Sequence, residues 1–211
     1  MLEIHNVEIY GLKRSIKASG NPMTLGKIDT IYKNKLNDEN DLIRGKKLGA
    51  AKPNSGHDNY LKGITVQFDI KYPQYWTPEA QRYHWLDIIS SQSKMHRLTL
   101  AGTKEDFELM FNKYVDKDII DKIKVYTYNY NNDVKVDNVK DNKYYWFMKT
   151  LSNLPMGYEM YETLTTNYLQ LKTIYHQRKG HKLKEDWGAF IEMCEELPLF
   201  LELIGEINNG K

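Results

Sequence analysis

The stretch GITVQFDIKYP, residues 63–73, sets the tightest limit on the fold. Ile64, Val66, Phe68 and Ile70 alternate with Thr65, Gln67 and Asp69. Successive side chains of a strand point to opposite faces, so this period of two predicts a strand with one apolar face. Pro73 cannot donate to a ladder and ends the strand. LEIHNVEIY alternates in the same way and predicts a second strand at about 2–10. A sheet with one apolar face has to be covered by another layer.

Helices are expected to form that layer. Thr77, Pro78 and Glu79 form a helix-start signal: a capping residue, a proline suited to the first turn and an acid at the positive helix end. TKED at 103–106 reads as a capping-box start for a helix through about Tyr114. Further helices are expected near 28–36, 137–152, 158–178 and 184–197. SSQSKMHR reads as a polar helix end entering a strand LTLAG, and the Asn- and Asp-rich residues 125–143 read as a mobile surface loop. No repeat or linker divides the 211 residues. The expectation is one α+β domain, a small antiparallel sheet packed by several helices. The strand at 63–71 is expected to be central, with the helix at 158–178 against it.

Composition narrows the function classes. The chain is 41% hydrophobic and 27% charged, which suits a soluble protein with a sizeable core. No apolar run approaches a membrane span, and MLEIHNVEIY lacks a basic start before an apolar block. A lone cysteine, Cys194, has no internal disulfide partner, which points to a reducing, cytoplasmic setting. The net charge of +2 makes no global case for nucleic acid. The basic runs at 44–52 and around 172–184 read as solvated faces, without an aromatic platform between the charges. His176 and His181 are five apart, not the four of a helical metal pair.

The segment LPMGYEMYETLTTNYLQLKTIYHQR, residues 154–178, poses the sharpest question. Asn167, Leu171, Ile174 and Arg178 are spaced by four, three and four, one stripe of a helix. Asn167 and Arg178 would then lie about 16 Å apart along the axis. Arginine suits a planar acceptor such as a carboxylate, a phosphate or a pyrimidine edge. On spacing alone, the favoured reading of Arg178 is a charge at the negative helix end, with Lys179 beside it and Gly180 terminating.

Leu154, Pro155, Thr165, Asn167, Leu171 and Arg178 resemble, without a gap, the C-terminal motif of the flavin-dependent thymidylate synthases, the ThyX family. The resemblance implies that Arg178 binds and polarises the pyrimidine of dUMP, as a catalytic residue, and that Asn167 helps to hold the flavin. GHDNYLKGITVQFDIKYP resembles the family's GHTSPFEH and following strand through Gly56, His57, Phe68 and Pro73. It implies a flavin contact for His57. The Glu and second His of that motif are Lys62 and Gly63 here, and Lys62 could instead meet a phosphate. The family's RHR falls on Arg82, Tyr83 and His84. Its downstream Ser, Asn and Arg fall on Ser90, Gln92 and Arg97 with three residues inserted. The resemblance implies that Arg82, Ser90, Gln92 and Arg97 bind the nucleotide.

The resemblance further implies FAD as cofactor, NADPH and methylene-tetrahydrofolate as cosubstrates, and a homotetramer with flavin sites shared between subunits. The cofactors carry the reactive groups in such chemistry, so no triad, zinc set or Walker loop is required. The expected function is flavin-dependent thymidylate synthesis on dUMP, by methyl or hydroxymethyl transfer from a folate. The alternative is a catalytically degenerate protein of the same fold that binds a nucleotide or a protein partner, which the changes at Lys62, Gly63, Tyr83 and His84 favour.

Overall fold

The computed structural model describes residues 2–25, 38–52, 55–101 and 105–206. The helix expected near 28–36 lies outside these residues. Four strands, β1 (Glu3–Tyr10), β2 (Thr65–Pro73), β3 (Asp87–Ser91) and β4 (Glu159–Asn167), form one antiparallel sheet in the order β1-β2-β4-β3. The helices are α1 (Leu12–Ala18), α2 (Asp38–Gly49), α3 (Thr77–Ala80), α4 (Lys94–Ala101), α5 (Lys117–Asn131), α6 (Asn142–Ser152), α7 (Tyr168–Arg178), α8 (Lys184–Glu196) and α9 (Phe200–Ile204).

β2 behaves as its alternation requires. Val66, Phe68, Ile70 and Tyr72 are buried, and Thr65, Gln67, Asp69 and Lys71 are only half-buried on the other face. β2 is central, paired with β1 on one side and β4 on the other. Phe68 meets Phe190 of α8 edge-on at 5.9 Å, and Trp187 packs on Trp76 at 5.1 Å and on Phe190 at 5.5 Å. Burying such rings removes large apolar areas from water and adds favourable ring geometry. Cys194 is fully buried in this layer, and burial pushes its thiol pKa well above the ordinary range.

Several expectations are corrected. Residues 158–178 are not one helix: 159–167 form β4, and only Tyr168–Arg178 is helical. Met160, Leu164 and Thr166 are buried along β4, and Thr163, Thr165 and Thr166 carry the branched side chains that favour a pleated surface. Asn167 is therefore the N-cap of α7, not a residue of its stripe. Residues 125–131 belong to α5, where Ile120, Ile123 and Thr127 form a buried stripe at helical spacing. LTLA is the second half of α4, not a strand. The helix start at Thr77 yields a single turn before the chain reaches β3, and Glu105–Met110 form only a 3-10 segment.

Candidate functional site

β4 runs into α7 without a loop, and this joint positions the candidate site. Asn167 still has extended backbone (φ −143°, ψ 164°), and its side-chain oxygen accepts from the Gln170 N–H at 3.0 Å. That bond satisfies one of the free donors at the helix start. Tyr168, Leu171, Lys172 and Tyr175 are buried along one side of α7. The helix stops at Gly180, whose φ of +80° only glycine adopts readily.

Lys172 on that buried side sets the position of a second segment. Its Nζ donates to the carbonyls of Gly49 (2.7 Å) and Ala51 (3.0 Å) and to Asp58 Oδ2 (2.8 Å), which uses all three of its protons. Both charged side chains are 5% exposed. A pair so deep is costly to break from one side, so it fixes the turn at 56–58 against α7. The chain then forms a 3-10 segment, Asn59–Gly63, with Leu61 buried beneath it.

Between this segment and α7 lies a cleft of about 600 Å³. Asn59 and Lys62 line one side, and Leu169, Thr173, His176 and Gln177 the other. Lys62 is exposed and has no ion-pair partner among the described residues. His176 stands 3.6 Å from Glu206. The cleft thus offers one uncommitted cation, side-chain amides and a hydroxyl, around an apolar patch at Leu169.

A second cleft, of about 570 Å³, opens on the polar side of the sheet. Ser90 and Gln92 line it, together with His5, Asp69, Tyr161 and Glu162. Asp69 accepts from Asn6 (2.7 Å) and Thr163 (2.6 Å), and these bonds hold its carboxyl below the usual range. Burial pushes the Glu162 carboxyl up, opposed by a hydrogen bond from Tyr72. This cleft carries carboxylates where an anion would need cations.

Arg178 faces neither bulk solvent nor the open part of the first cleft. Its Nη1 donates to Glu79 Oε2 at 2.8 Å, and its Nε donates to the Tyr83 hydroxyl at 2.6 Å. The guanidinium lies 4.5 Å from the centre of the Trp187 ring and 5.3 Å from that of Tyr83. Trp187 also donates its indole N–H to Glu79, at 2.9 Å. The Arg178 side chain is only 11% exposed. It ties α3, the turn at Tyr83, α7 and α8 together.

The other expected residues are dispersed. His57 is exposed in the turn beside the first cleft, and Arg82 is exposed in the turn after α3. Arg97 donates to the Glu159 carbonyl at 2.7 Å and stacks 5.5 Å from the Tyr158 ring centre. Gln92 is bound to the edge of β4: its N–H donates to the Tyr161 carbonyl and its side-chain oxygen accepts from the Tyr161 N–H. Ser90 and Gln92 share the sheet-side cleft. His57, Asn167 and Arg178 do not line either cleft.

Lys172, Gln177 and Glu79 were missed by the sequence reading as parts of a site. Lys172 had a legible signal, because it falls four residues after Tyr168 and three before Tyr175, on the apolar stripe. Gln177 and Glu79 had none, since their partners lie some ninety residues away or more.

By sequence, no protein-family model and no curated protein matches the chain. By structure, the chain is similar to two crystal structures of the flavin-dependent thymidylate synthase ThyX from Helicobacter pylori, each described as a complex with FAD and dUMP. The first has a TM-score of 0.66 at 15% identity over 96% of this chain and 97% of that one. The second has a TM-score of 0.65 at 14% identity over 97% of each. A UMP/dUMP methylase, PolB from Streptomyces cacaoi, bound with 5-Br dUMP, has a TM-score of 0.50 at 11% identity over 84% of this chain and 77% of that one. The chain has the ThyX fold.

Proposed function

We propose that this chain is a divergent ThyX-fold protein that binds a pyrimidine nucleoside monophosphate of the dUMP kind in the cleft between Asn59–Gly63 and α7, and that it has left flavin chemistry. The observation that carries the reading is the donor set of that cleft. Lys62 is the uncommitted cation for a phosphate, and Asn59, Thr173 and Gln177 offer hydrogen bonds to a sugar or a base. A volume of about 600 Å³ is within the range of small-ligand sites. The fold supports the same ligand class, since its solved relatives hold dUMP or a brominated analogue.

The same donor set does not fit FAD within one chain. FAD brings two ring systems and a pyrophosphate. Among the described residues, the cleft has one uncommitted cation, and the only ring at its wall is the small imidazole of His176. When bound, a flavin supplies hydride chemistry. No step of that kind is assigned to these residues, nor to NADPH or methylene-tetrahydrofolate. Arg178, the residue that the resemblance casts as polarising the pyrimidine, is already neutralised by Glu79 and stacked on two rings. It would have to leave both to reach a nucleotide.

The proposal takes the 211 residues as one domain and the assembly as a homotetramer. Support for self-association comes from the open sheet edge, where Trp85, Ile88 and Ile89 are 53%, 50% and 51% exposed. Arg82, Ser90 and Gln92 lie on or beside this edge, so a neighbouring subunit would meet them there. Light scattering that finds a monomer at micromolar concentration removes this part.

The test of function is calorimetric titration with dUMP and with deoxyuridine, alongside the absorbance of the purified protein before and after loading with FAD. Saturable dUMP binding, weaker deoxyuridine binding and a colourless protein are expected. Retained flavin, or methylation of dUMP when FAD, NADPH and methylene-tetrahydrofolate are supplied, refutes the loss of catalysis. Absence of dUMP binding refutes the nucleotide site.

A further inference from the structure

Gln177 connects the proposed cleft to the Arg178 cluster, and the connection has a direction. Arginine can only donate hydrogen bonds. The Arg178 Nε–H therefore makes the Tyr83 hydroxyl an acceptor, at 2.6 Å. The hydroxyl proton is then directed to its remaining partner, Gln177 Oε1, at 3.1 Å. Arg178 is itself held in place by Glu79, at 2.8 Å, and by the Trp187 ring beneath it. A side-chain amide can usually turn over and exchange its donor for its acceptor. Here a turned amide would set its N–H₂ against the Tyr83 hydroxyl and leave the hydroxyl proton without the acceptor it now has in Oε1. Only the orientation with Oε1 on Tyr83 satisfies the whole chain of bonds. Gln177 lines the cleft, and its Nε2 has no hydrogen-bond partner among the described residues.

We propose that Gln177 is a specificity-determining residue, fixed by Arg178 and Tyr83 as a hydrogen-bond donor, which selects a pyrimidine bearing a ring carbonyl, as in uracil, over one bearing an amino group, as in cytosine. The inference rests on the nucleotide reading of the cleft and adds to it which edge of the base is read and by what. Uracil presents an oxygen acceptor where cytosine presents an N–H₂ donor. Donor against acceptor makes a bond, whereas donor against donor leaves two groups unpaired. Arg178 and Tyr83 are positioning residues in this scheme and act only through the amide. Arg178 thereby keeps a part in base recognition without touching the base.

The experiment measures dissociation constants for dUMP and dCMP on the full chain, its Gln177→Glu variant and its Tyr83→Phe variant, with thermal denaturation to confirm folding. The wild-type chain is expected to favour dUMP about tenfold, the value of one good hydrogen bond. Gln177→Glu replaces the donor with an acceptor and is expected to reverse the ratio, whatever it does to overall affinity. Tyr83→Phe frees the amide to turn and is expected to bring the two ligands within about twofold of each other. Equal binding of dUMP and dCMP by the wild type overturns the inference and leaves the nucleotide site standing. So does a dUMP preference that survives both substitutions. If neither nucleotide binds the wild type, the site and the inference fall together. Gln177 is exposed, so its variant folds even if Tyr83→Phe does not.

Discussion

The two clefts are nearly equal in size, about 600 and 570 Å³, and opposite in chemistry. The one on α7 has its acidic group, Asp58, neutralised from below by Lys172, and Lys62 stands free at its rim. The one on the sheet has Asp69 and Glu162 in its wall and, among the described residues, no lysine or arginine. The sequence motif had assigned nucleotide contacts to Ser90 and Gln92, which lie in the acidic cleft. Among the described residues, only the other cleft offers a free lysine to an anion. A motif match gives residue types and positions and says nothing of the charge around them. The local sum of charge decides what can be bound there now.

The contrast breaks most severely at the floor of the first cleft. Lys172→Met leaves Asp58 buried without its partner and is expected to cost about 3–5 kcal/mol of stability. Urea unfolding measures it, and a loss under 1 kcal/mol would show that the pair does not hold the cleft. Arg178→Ala is expected to come next. It removes the arginine from Glu79, which keeps His181 at 3.4 Å and the Trp187 N–H, and takes the stacked cation from Trp187, at about 2–3 kcal/mol, less than a fully buried pair because Glu79 is 26% exposed. A helix-end charge would cost under about 1 kcal/mol, so the same unfolding curve separates the two roles. Lys62→Glu sharpens the contrast by giving both clefts one sign. Nucleotide affinity should fall at least about tenfold with the unfolding midpoint unchanged. Ser90→Ala, in the acidic cleft, is expected to change nucleotide affinity less than about twofold in a sample held monomeric by dilution. A larger effect there would return the nucleotide to the sheet side.

The parts of the fold that sequence made legible were those with local causes. β2 was readable because its alternation is complete and its terminating proline is adjacent. α8 was readable because its apolar stripe and acidic first turn lie within thirteen residues. β4 was not, because Leu171 and Ile174 set a true helical period that extended backwards over three threonines without a break signal. No glycine or proline separates strand from helix there. α5 was obscured by its asparagines, which favour turns in isolation and are overruled here by packing of Ile120 and Ile123. In the site, the residue types were legible and their obligations were not. Arg178 was read as a pyrimidine contact or a helix-end charge, whereas its side chain has an ion-pair partner inside the fold. That partner, Glu79, lies 99 residues away, brought close by a sheet that the sequence reading had only half assembled.

Asn167 is at once the last rung of β4, opposite Thr65, and the cap of α7. The joint therefore works as a fixed gear. A strand advances its side chains by half a turn per residue, a helix by about 100°. With no slack between them, the register of β4 on β2 sets the rotational phase of every α7 side chain. One residue inserted after Asn167 would turn Lys172 off Asp58 and Gln177 out of the cleft together, although they lie about one and three helical turns further on. The turn at 132–141 between α5 and α6 joins two helices and carries no strand register into either. Length variation in chains of this kind should collect in turns like that one and be absent from the strand–helix joint, where adding a residue is equivalent to replacing the whole face of a helix.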